Sequence, residues 1–306
     1  MSRAAAVDLG SNMLRLAVGS LDSHGVMTIE RKIVEVTRVA EGIEATGRFG
    51  PVPIARTGHV LAAFARCIEE SGVDRVAAVA TGAFRLAKNR ADARRTLSER
   101  LGAPVEIITG DREAALARRG IRAAHGLAAS ARIAVLDIGG TSTELVLEND
   151  ADEPATASIP TGVVNLTERA RAATVALEDV DAWLAVRADE AIAAFPDPDG
   201  RPRRWFTAGG AAVALAAFEL RESLPEFTGD GVTTIDRAEL ARIYSAFAAS
   251  TSKERIARLG VTEAHAGLVP AGYAILEAAL TRFAVTAVCP TGRGVVEGRL
   301  DELLRE

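Results

Sequence analysis

Two stretches of this chain repeat one chemical pattern. Ala6-Val7-Asp8-Leu9-Gly10-Ser11-Asn12 and Val135-Leu136-Asp137-Ile138-Gly139-Gly140-Thr141-Ser142-Thr143-Glu144 each run from apolar residues into an aspartate, then into glycine and small hydroxyl or amide residues. Apolar residues bury a strand, the acid emerges at its end, and the turn that follows leaves backbone N–H groups facing outward. Such a turn makes an anion-binding concavity. In the first turn, Asp8 is a candidate metal ligand, Ser11 and Asn12 are candidate phosphate contacts, and Arg15 follows three residues on. In the second, Gly139 and Gly140 permit close backbone approach to a ligand, with Thr141 and Ser142 beside them. Glu144 lies among Thr143, Leu145, Val146 and Leu147, where a carboxylate is costly to bury without a partner.

Three further features fit phosphate chemistry. Arg85 follows Ala80-Thr81-Gly82 at the end of an apolar run, where a guanidinium can fork onto two phosphate oxygens. Glu113 falls in the first turn of a helix after Thr109-Gly110, a position that also suits the helix dipole. Gly209-Gly210 precede an apolar helix, whose N-terminus can bind an anion. The four histidines, His24, His59, His125 and His265, form no cluster, which argues against zinc and histidine-based nucleophile schemes.

The elements that must position these groups alternate between strand and helix, the signature of an α/β class. Residues 4–9 and 14–19 read as a hairpin around the Asp8 turn, and 26–36 as a third strand. Residues 54–71 read as a helix capped by Gly72, 76–80 as a buried strand, and the segment through Arg85, Lys88, Arg90, Arg94 and Arg95 as one basic helix. Residues 105–108 are a strand, followed by a helix to about Ala124 with Asp111 as its N-cap. The pattern then restarts: a hairpin around Asp137, a helix over 176–195, a Pro/Gly loop from Pro196 to Arg204 and a strand at 205–207. Helices at about 210–220, 236–249 and 270–283, a strand at 285–289 and a terminal helix from about Val296 complete it. The restart predicts two related domains, 1–124 and 125–306. A linker is expected over 125–130, and the terminal helix 296–306 could pack on the first domain.

A chain of 306 residues accommodates two domains with ample core. With 48% hydrophobic and 25% charged residues it reads as soluble and globular. A net charge of −5 argues against a general nucleic-acid binder, so an anionic substrate must be held by local arginines. Cys67 and Cys289 are too far apart in sequence for a metal motif, and Cys67 reads as a buried thiol. No signal-peptide pattern is visible and no apolar run approaches the roughly 18 residues of a membrane span, so a cytoplasmic location is expected. Ile275, Leu276 and Leu280 read as core, with a dimer face as the open alternative.

Taken together, the motifs resemble the exopolyphosphatase / guanosine pentaphosphate phosphohydrolase (Ppx/GppA) family. VDLGSNMLRL resembles its first phosphate turn, VATGAFRLAKN its arginine segment and IITGDREAAL its I-S-G-x-x-E-A segment. LDIGGTSTELVL resembles DIGGGSTEL, SIPTGVVNLTE the strand and turn that follow, TAGGAAVALAA the Gly-Gly helix entry and GRGVVEGRL the C-terminal GLREG segment. The resemblance implies two ribonuclease-H-like domains of the actin-like ATPase / acetate-kinase superfamily with an interdomain cleft. It also implies Mg²⁺-dependent hydrolysis of a terminal phosphoanhydride. Carried over by position, Glu113 matches the base that activates water, and a dry site would suit it by raising its pKa. Asp137 and Glu144 match acids that hold metal and water, Arg85 matches the arginine gripping the phosphate chain, and Arg15 is a second clamp. The implied substrate is inorganic polyphosphate, with guanosine pentaphosphate (pppGpp) as the alternative. Met13 and Gly82 stand where the family pattern has serine, Thr141 where it has a third glycine, and His265 and Gly267 align with an arginine and an acid of its E-R-A-D run. They keep a weakened, polyphosphate- or alarmone-binding regulator in view. An ATP-using kinase or ATPase is a further alternative, although no adenosine-site signature is visible.

Overall fold

The computed structural model describes residues 2–128, 130–148, 154–195, 204–229 and 234–306. Most of the predicted Pro196–Arg204 loop, and Ala129 within the predicted linker, lie outside them. The chain divides into two compact units, Met1–Ala128 with Arg293–Glu306, and Ala129–Gly292.

The first unit opens with β1 (Arg3–Leu9), β2 (Met13–Leu21) and β3 (Met27–Val36), followed by α1 (Ile43–Thr46), α2 (Pro51–Ser71), β4 (Arg75–Ala80), α3 (Ala83–Leu86), α4 (Arg90–Leu101), β5 (Val105–Ile107) and α5 (Gly110–Ala124). The second contains β6 (Ile133–Ile138), β7 (Thr143–Leu147), β8 (Ala155–Ile159), α6 (Val163–Ala172), α7 (Val180–Ile192), β9 (Arg204–Gly209), α8 (Gly210–Leu220), β10 (Ile235–Asp236), α9 (Arg237–Ala249), α10 (Ser252–Leu259), α11 (Glu263–Ala266), α12 (Val269–Arg282) and β11 (Ala287–Thr291). The terminal helix α13 (Val295–Arg305) completes the first unit.

The two sheets have one plan. The first has strand order β3-β2-β1-β4-β5; the second has β8-β7-β6-β9-β11, with β10 added at its edge. In each, a hairpin strand pair is antiparallel and the central strand pairs in parallel with the next one, β1 with β4 and β6 with β9. This is the ribonuclease-H-like α/β order, present twice. Asp8 and Asp137 sit near the C-terminal ends of the two central strands, where ligands of open α/β sheets bind.

Side-chain alternation builds the first unit's core. Ala4 and Ala6 on β1 and Ala17 on β2 form a small-residue face, and α13 covers it with Val296, Leu300, Leu303 and Leu304. Small residues let the helix approach closely, and Asp8 continues the Ala4–Ala6 row beyond the apolar patch. In the second unit the Ala211–Phe218 run of α8 is apolar and buried, with Phe218 edge-on to Phe247 at 5.3 Å. Ile275, Leu276 and Leu280 are fully buried in the core, and both cysteines are buried free thiols.

Two local expectations are corrected. The basic helix is two helices, broken between Leu86 and Arg90 where Ala87 is extended. The break is held by Asn89, whose side chain accepts from Phe49 N–H at 2.9 Å and donates to Phe49 O at 3.0 Å. The N-cap of α5 is Thr109, accepting from Arg112 N–H, and Asp111 sits inside the first turn, exposed. A threonine cap places Glu113 one turn along the helix on its buried side.

Candidate active site

In the first unit, the turn after β1 is closed by Gly10 N–H donating to Met13 O at 3.1 Å. The Ser11 hydroxyl accepts Ala83 N–H at 3.1 Å, and Leu9 O accepts Thr81 N–H at 3.3 Å. These bonds fix the first turn to the turn after β4 that carries Arg85. Asn12 O accepts from Thr37 N–H and Arg38 N–H at 3.0 and 2.9 Å, which fixes the other side of the turn. Asp8, Ser11 and Asn12 are all buried. Arg15 donates to Asp8 Oδ2 at 3.2 Å, across the direct register pair Asp8–Arg15.

Arg85 and Glu113, which sequence alone places 28 residues apart, meet directly: the guanidinium donates to Glu113 Oε2 and also to Ile108 O at 3.4 Å. Glu113 is only 5% exposed. A buried carboxylate held by an arginine of the short helix α3 unites an acid able to orient water with a cation able to hold phosphate.

In the second unit, Asp137 and Glu144 are direct partners in the β6–β7 register. The turn between them is closed by Gly139 N–H donating to Ser142 O at 2.9 Å, the same bond that closes the first turn. Glu144 is 1% exposed and accepts from the Ser158 hydroxyl on β8 at 2.7 Å. Gly209, at φ 64°, begins the approach to α8 beside Asp137; a Cβ there would stand 2.9 Å from Asp137 Oδ1 and 2.6 Å from Ile138 O, so only glycine leaves that carboxylate its place. Gly210 opens α8 itself.

The N-terminus of α6 forms the far wall of this turn. Val163 N–H and Val164 N–H donate to Gly139 O and Gly140 O at 3.0 and 2.7 Å. Asn165 accepts from Gly162 N–H at 2.8 Å and donates to Thr141 O at 3.3 Å. A Cβ on Gly162 would stand 2.6 Å from the Gly140 carbonyl carbon. Ser158, Gly162 and Asn165 were not singled out by the sequence reading. A signal was present in Gly162-Val163-Val164-Asn165, where the fourth residue reaches back over the helix start.

The predicted site residues therefore form two groups. Asp8, Ser11, Asn12, Arg15, Arg85 and Glu113 belong to the first unit. Asp137, Gly139, Gly140, Thr141, Ser142, Glu144, Gly209 and Gly210 belong to the second. Among the described residues no cluster of three or more His, Cys, Asp or Glu is arranged to hold a metal ion. Asp137 and Glu144 nonetheless fit Mg²⁺, a hard ion usually held by one or two carboxylates, with substrate phosphates and water as further ligands. Asp8, the third predicted ligand, is engaged by Arg15.

Residues 18–306 match the family model described as the Ppx/GppA phosphatase family. The chain belongs to the Ppx/GppA family. It is 30% identical over 287 residues to Exopolyphosphatase 2 of Mycobacterium tuberculosis, covering 90% of this chain and 89% of that protein. A crystal structure of the Aquifex aeolicus Ppx/GppA family member superposes with a TM-score of 0.76 at 27% identity, covering 99% of this chain and 98% of the other. An exopolyphosphatase from Cytophaga hutchinsonii shares the fold, with a TM-score of 0.84 at 22% identity over 99% and 98% of the two chains. As a member of this family the chain is a phosphoanhydride hydrolase of exopolyphosphatase type. No helix among the described residues is long and apolar enough to cross a membrane.

Proposed function

We propose that this enzyme removes the terminal phosphate from inorganic polyphosphate, with Mg²⁺ as cofactor, in the cytoplasm. The observation that supports this reading best is the buried contact between Arg85 and Glu113. In the proposed reaction Glu113 accepts a proton from water as the water oxygen bonds to the terminal phosphorus. The bridging P–O bond breaks, and the products are orthophosphate and a chain one phosphate shorter. Phosphoryl transfer of this kind depends on positioning and charge neutralisation rather than on a covalent intermediate.

In the first unit Arg85 and Arg15 are assigned to hold non-bridging oxygens, with the backbone N–H groups of the first turn and the Ser11 and Asn12 groups; in the second, the backbone N–H groups of the turn after β6 and the Thr141 and Ser142 groups are assigned to phosphate contact. Gly209 and Gly210 are assigned to the anion-facing start of α8. In the second unit Asp137 and Glu144 would hold Mg²⁺; Asp8 is the metal-ligand candidate of the first unit. When bound, the ion would neutralise charge developing on the phosphoryl oxygens.

A panel of tripolyphosphate, longer polyphosphates, pppGpp and ATP, each with and without Mg²⁺, tests the assignment through phosphate release. Mg²⁺-dependent turnover of polyphosphate is expected, with Glu113→Gln reducing kcat by about 10²–10⁴-fold. Turnover of pppGpp in preference to polyphosphate would reassign the substrate. Tight binding without product would make the chain a phosphate-chain sensor. Full activity in Glu113→Gln would remove the assigned mechanism.

A further inference from the structure

Beside the first turn lie three charged residues with no role in the chemistry above, Lys32, Arg293 and Glu297. Lys32 on β3 is directly opposite Ala17 on β2, and Arg15, two residues from Ala17, is opposite Asp8 on β1. Alternation therefore puts Asp8, Arg15 and Lys32 on one face of the sheet, the face that α13 covers. Lys32 Nζ lies 2.7 Å from Glu297 Oε1, and Arg293 Nη1 is 3.8 Å from the same oxygen. The other oxygen of Glu297 accepts Gly294 N–H at 2.7 Å. Glu297 is fully buried.

Arg15 thus holds Asp8, while Lys32 and Arg293 flank Glu297. Burial works to raise the Glu297 carboxyl, but Lys32, Gly294 N–H and Arg293 outweigh it and hold the group below the usual carboxylate range. Burial pushes the Lys32 ammonium down, and Arg293 and Arg15 repel it, while Glu297 pulls it back up.

We propose that Lys32 and Glu297 are positioning residues for Arg15: their ion pair satisfies the buried Glu297 carboxylate, so that Arg15 stays on Asp8 at the first phosphate turn. The inference rests on the reading of Arg15 as a phosphate clamp. Without the Lys32 charge, Glu297 is left as a buried anion short of one cation. A buried charge in that position draws on any cation within reach, and Arg15 is on the same face. If both charges are removed the competition disappears, and Arg15 keeps Asp8.

Calorimetric titration of the full chain with tripolyphosphate tests this, using Lys32→Met, Lys32→Arg and the double variant Lys32→Met/Glu297→Gln. Lys32→Met is expected to bind about tenfold more weakly, as loss of one charge-assisted contact implies. Lys32→Arg and the double variant are expected to stay within about threefold of wild type. A helix staple with no effect on Arg15 predicts the opposite for the double variant, because the staple is then absent altogether. Lys32→Gln replaces the methionine variant if that protein does not fold, with the same expectation.

Unchanged affinity in the single variant, no recovery in the double variant, or no tripolyphosphate binding by wild type would each overturn the inference. Wild type that binds but does not turn over, with the variant pattern intact, would remove the hydrolase reading and leave this one standing.

Discussion

The substitution Gly298→Ala, far from Glu113 in sequence, is expected to damage catalysis through packing alone. Helices α5 and α13 cross at three glycines. A Cβ on Gly298 would overlap the Leu116 carbonyl oxygen and stand 2.7 Å from its carbon, and a Cβ on Gly120 would stand 2.6 Å from Gly298 N. Carbon pairs rest at about 3.5–4.0 Å, so one methyl group forces the two helices apart by roughly 1 Å. The atoms it meets are backbone, so no side chain can rotate out of the way. Leu116 follows Glu113 by three residues on α5, one helical turn away, and the displacement is transmitted to the carboxylate. Overpacking of this kind costs about 1–3 kcal/mol, a fall of roughly 3–10 °C in the transition of the first unit. A reacting group misplaced by about 1 Å loses on the order of 100-fold in rate.

The assay pairs scanning calorimetry with phosphate release from tripolyphosphate at saturating substrate. Gly58→Ala in α2 is the control, since its Cβ would meet only the flexible Arg100 side chain at 3.2 Å. It is expected to be neutral or stabilising by about 0.5–1 kcal/mol. Wild-type Tm and kcat in Gly298→Ala would refute the packing argument. A lowered Tm with unchanged kcat would show that α13 does not hold Glu113 in place.

Arg85→Ala leaves the buried Glu113 carboxylate without its guanidinium; it should cost about 1–3 kcal/mol in stability as well as turnover, and Arg85→Lys should recover only part because it lacks the planar fork. Both are read by kcat/KM and Tm together. Glu297 and Glu302 are held below their ordinary value of 4.5, so their stabilisation is complete above that value and is lost as pH falls through the lower folded-state values. Thermal scans should therefore show a plateau from neutral pH to about pH 5 and a decline below it, with a shallower acid limb in Glu297→Gln. Chelation by EDTA should abolish turnover, and Asp137→Asn should raise the Mg²⁺ concentration for half-maximal rate by about tenfold or more. An Mg²⁺ requirement unchanged in that variant would remove Asp137 from the ion's ligands.

Both turns were legible in the sequence because each depends on a few adjacent residues: an apolar strand, an acid and a glycine that lets the closing carbonyl oxygen approach, where a Cβ would stand 2.8 Å from Met13 O or 2.9 Å from Ser142 O. The duplicated strand order follows from the same repetition. Contacts made across the fold were not legible. Nothing near Arg85 shows that its helix ends at Leu86, because the break is stabilised by Asn89 bonding to Phe49, forty residues earlier. Thr109 and Asp111 are both sound N-cap residues, and the choice between them is made by which register buries Glu113. Helix α6 was missed because it is ten residues long and owes its start to the second turn, whose carbonyls accept its first N–H groups. Short helices of this kind are stabilised by tertiary contacts rather than by propensity.

Three of the departures from the family pattern, Met13, Thr141 and Gly82, fall where the backbone, rather than the side chain, sets the geometry, whereas His265 and Gly267 stand where the family pattern has an arginine and an acid. Met13 closes the first turn through its carbonyl oxygen, which accepts Gly10 N–H whatever side chain the residue carries. Thr141 is fully buried, and its carbonyl oxygen is tied to Asn165. Gly82 adopts φ 24° and ψ −90°, a conformation unfavourable to any residue with a Cβ. Glycine there relieves strain in the turn that delivers Ala83 N–H to Ser11. His265 is buried, its N–H bonded to the Thr262 cap, and Gly267 closes the same short helix α11. None of these replacements removes an acid or a cation from the Arg85–Glu113 or Asp137–Glu144 pairs. The physical case for turnover therefore rests on those four charged side chains. A loss of activity traced to Met13 or Thr141 would have to act through phosphate contact by the side chain, and restoring serine at 13 or glycine at 141 would expose it as a change in KM rather than in kcat.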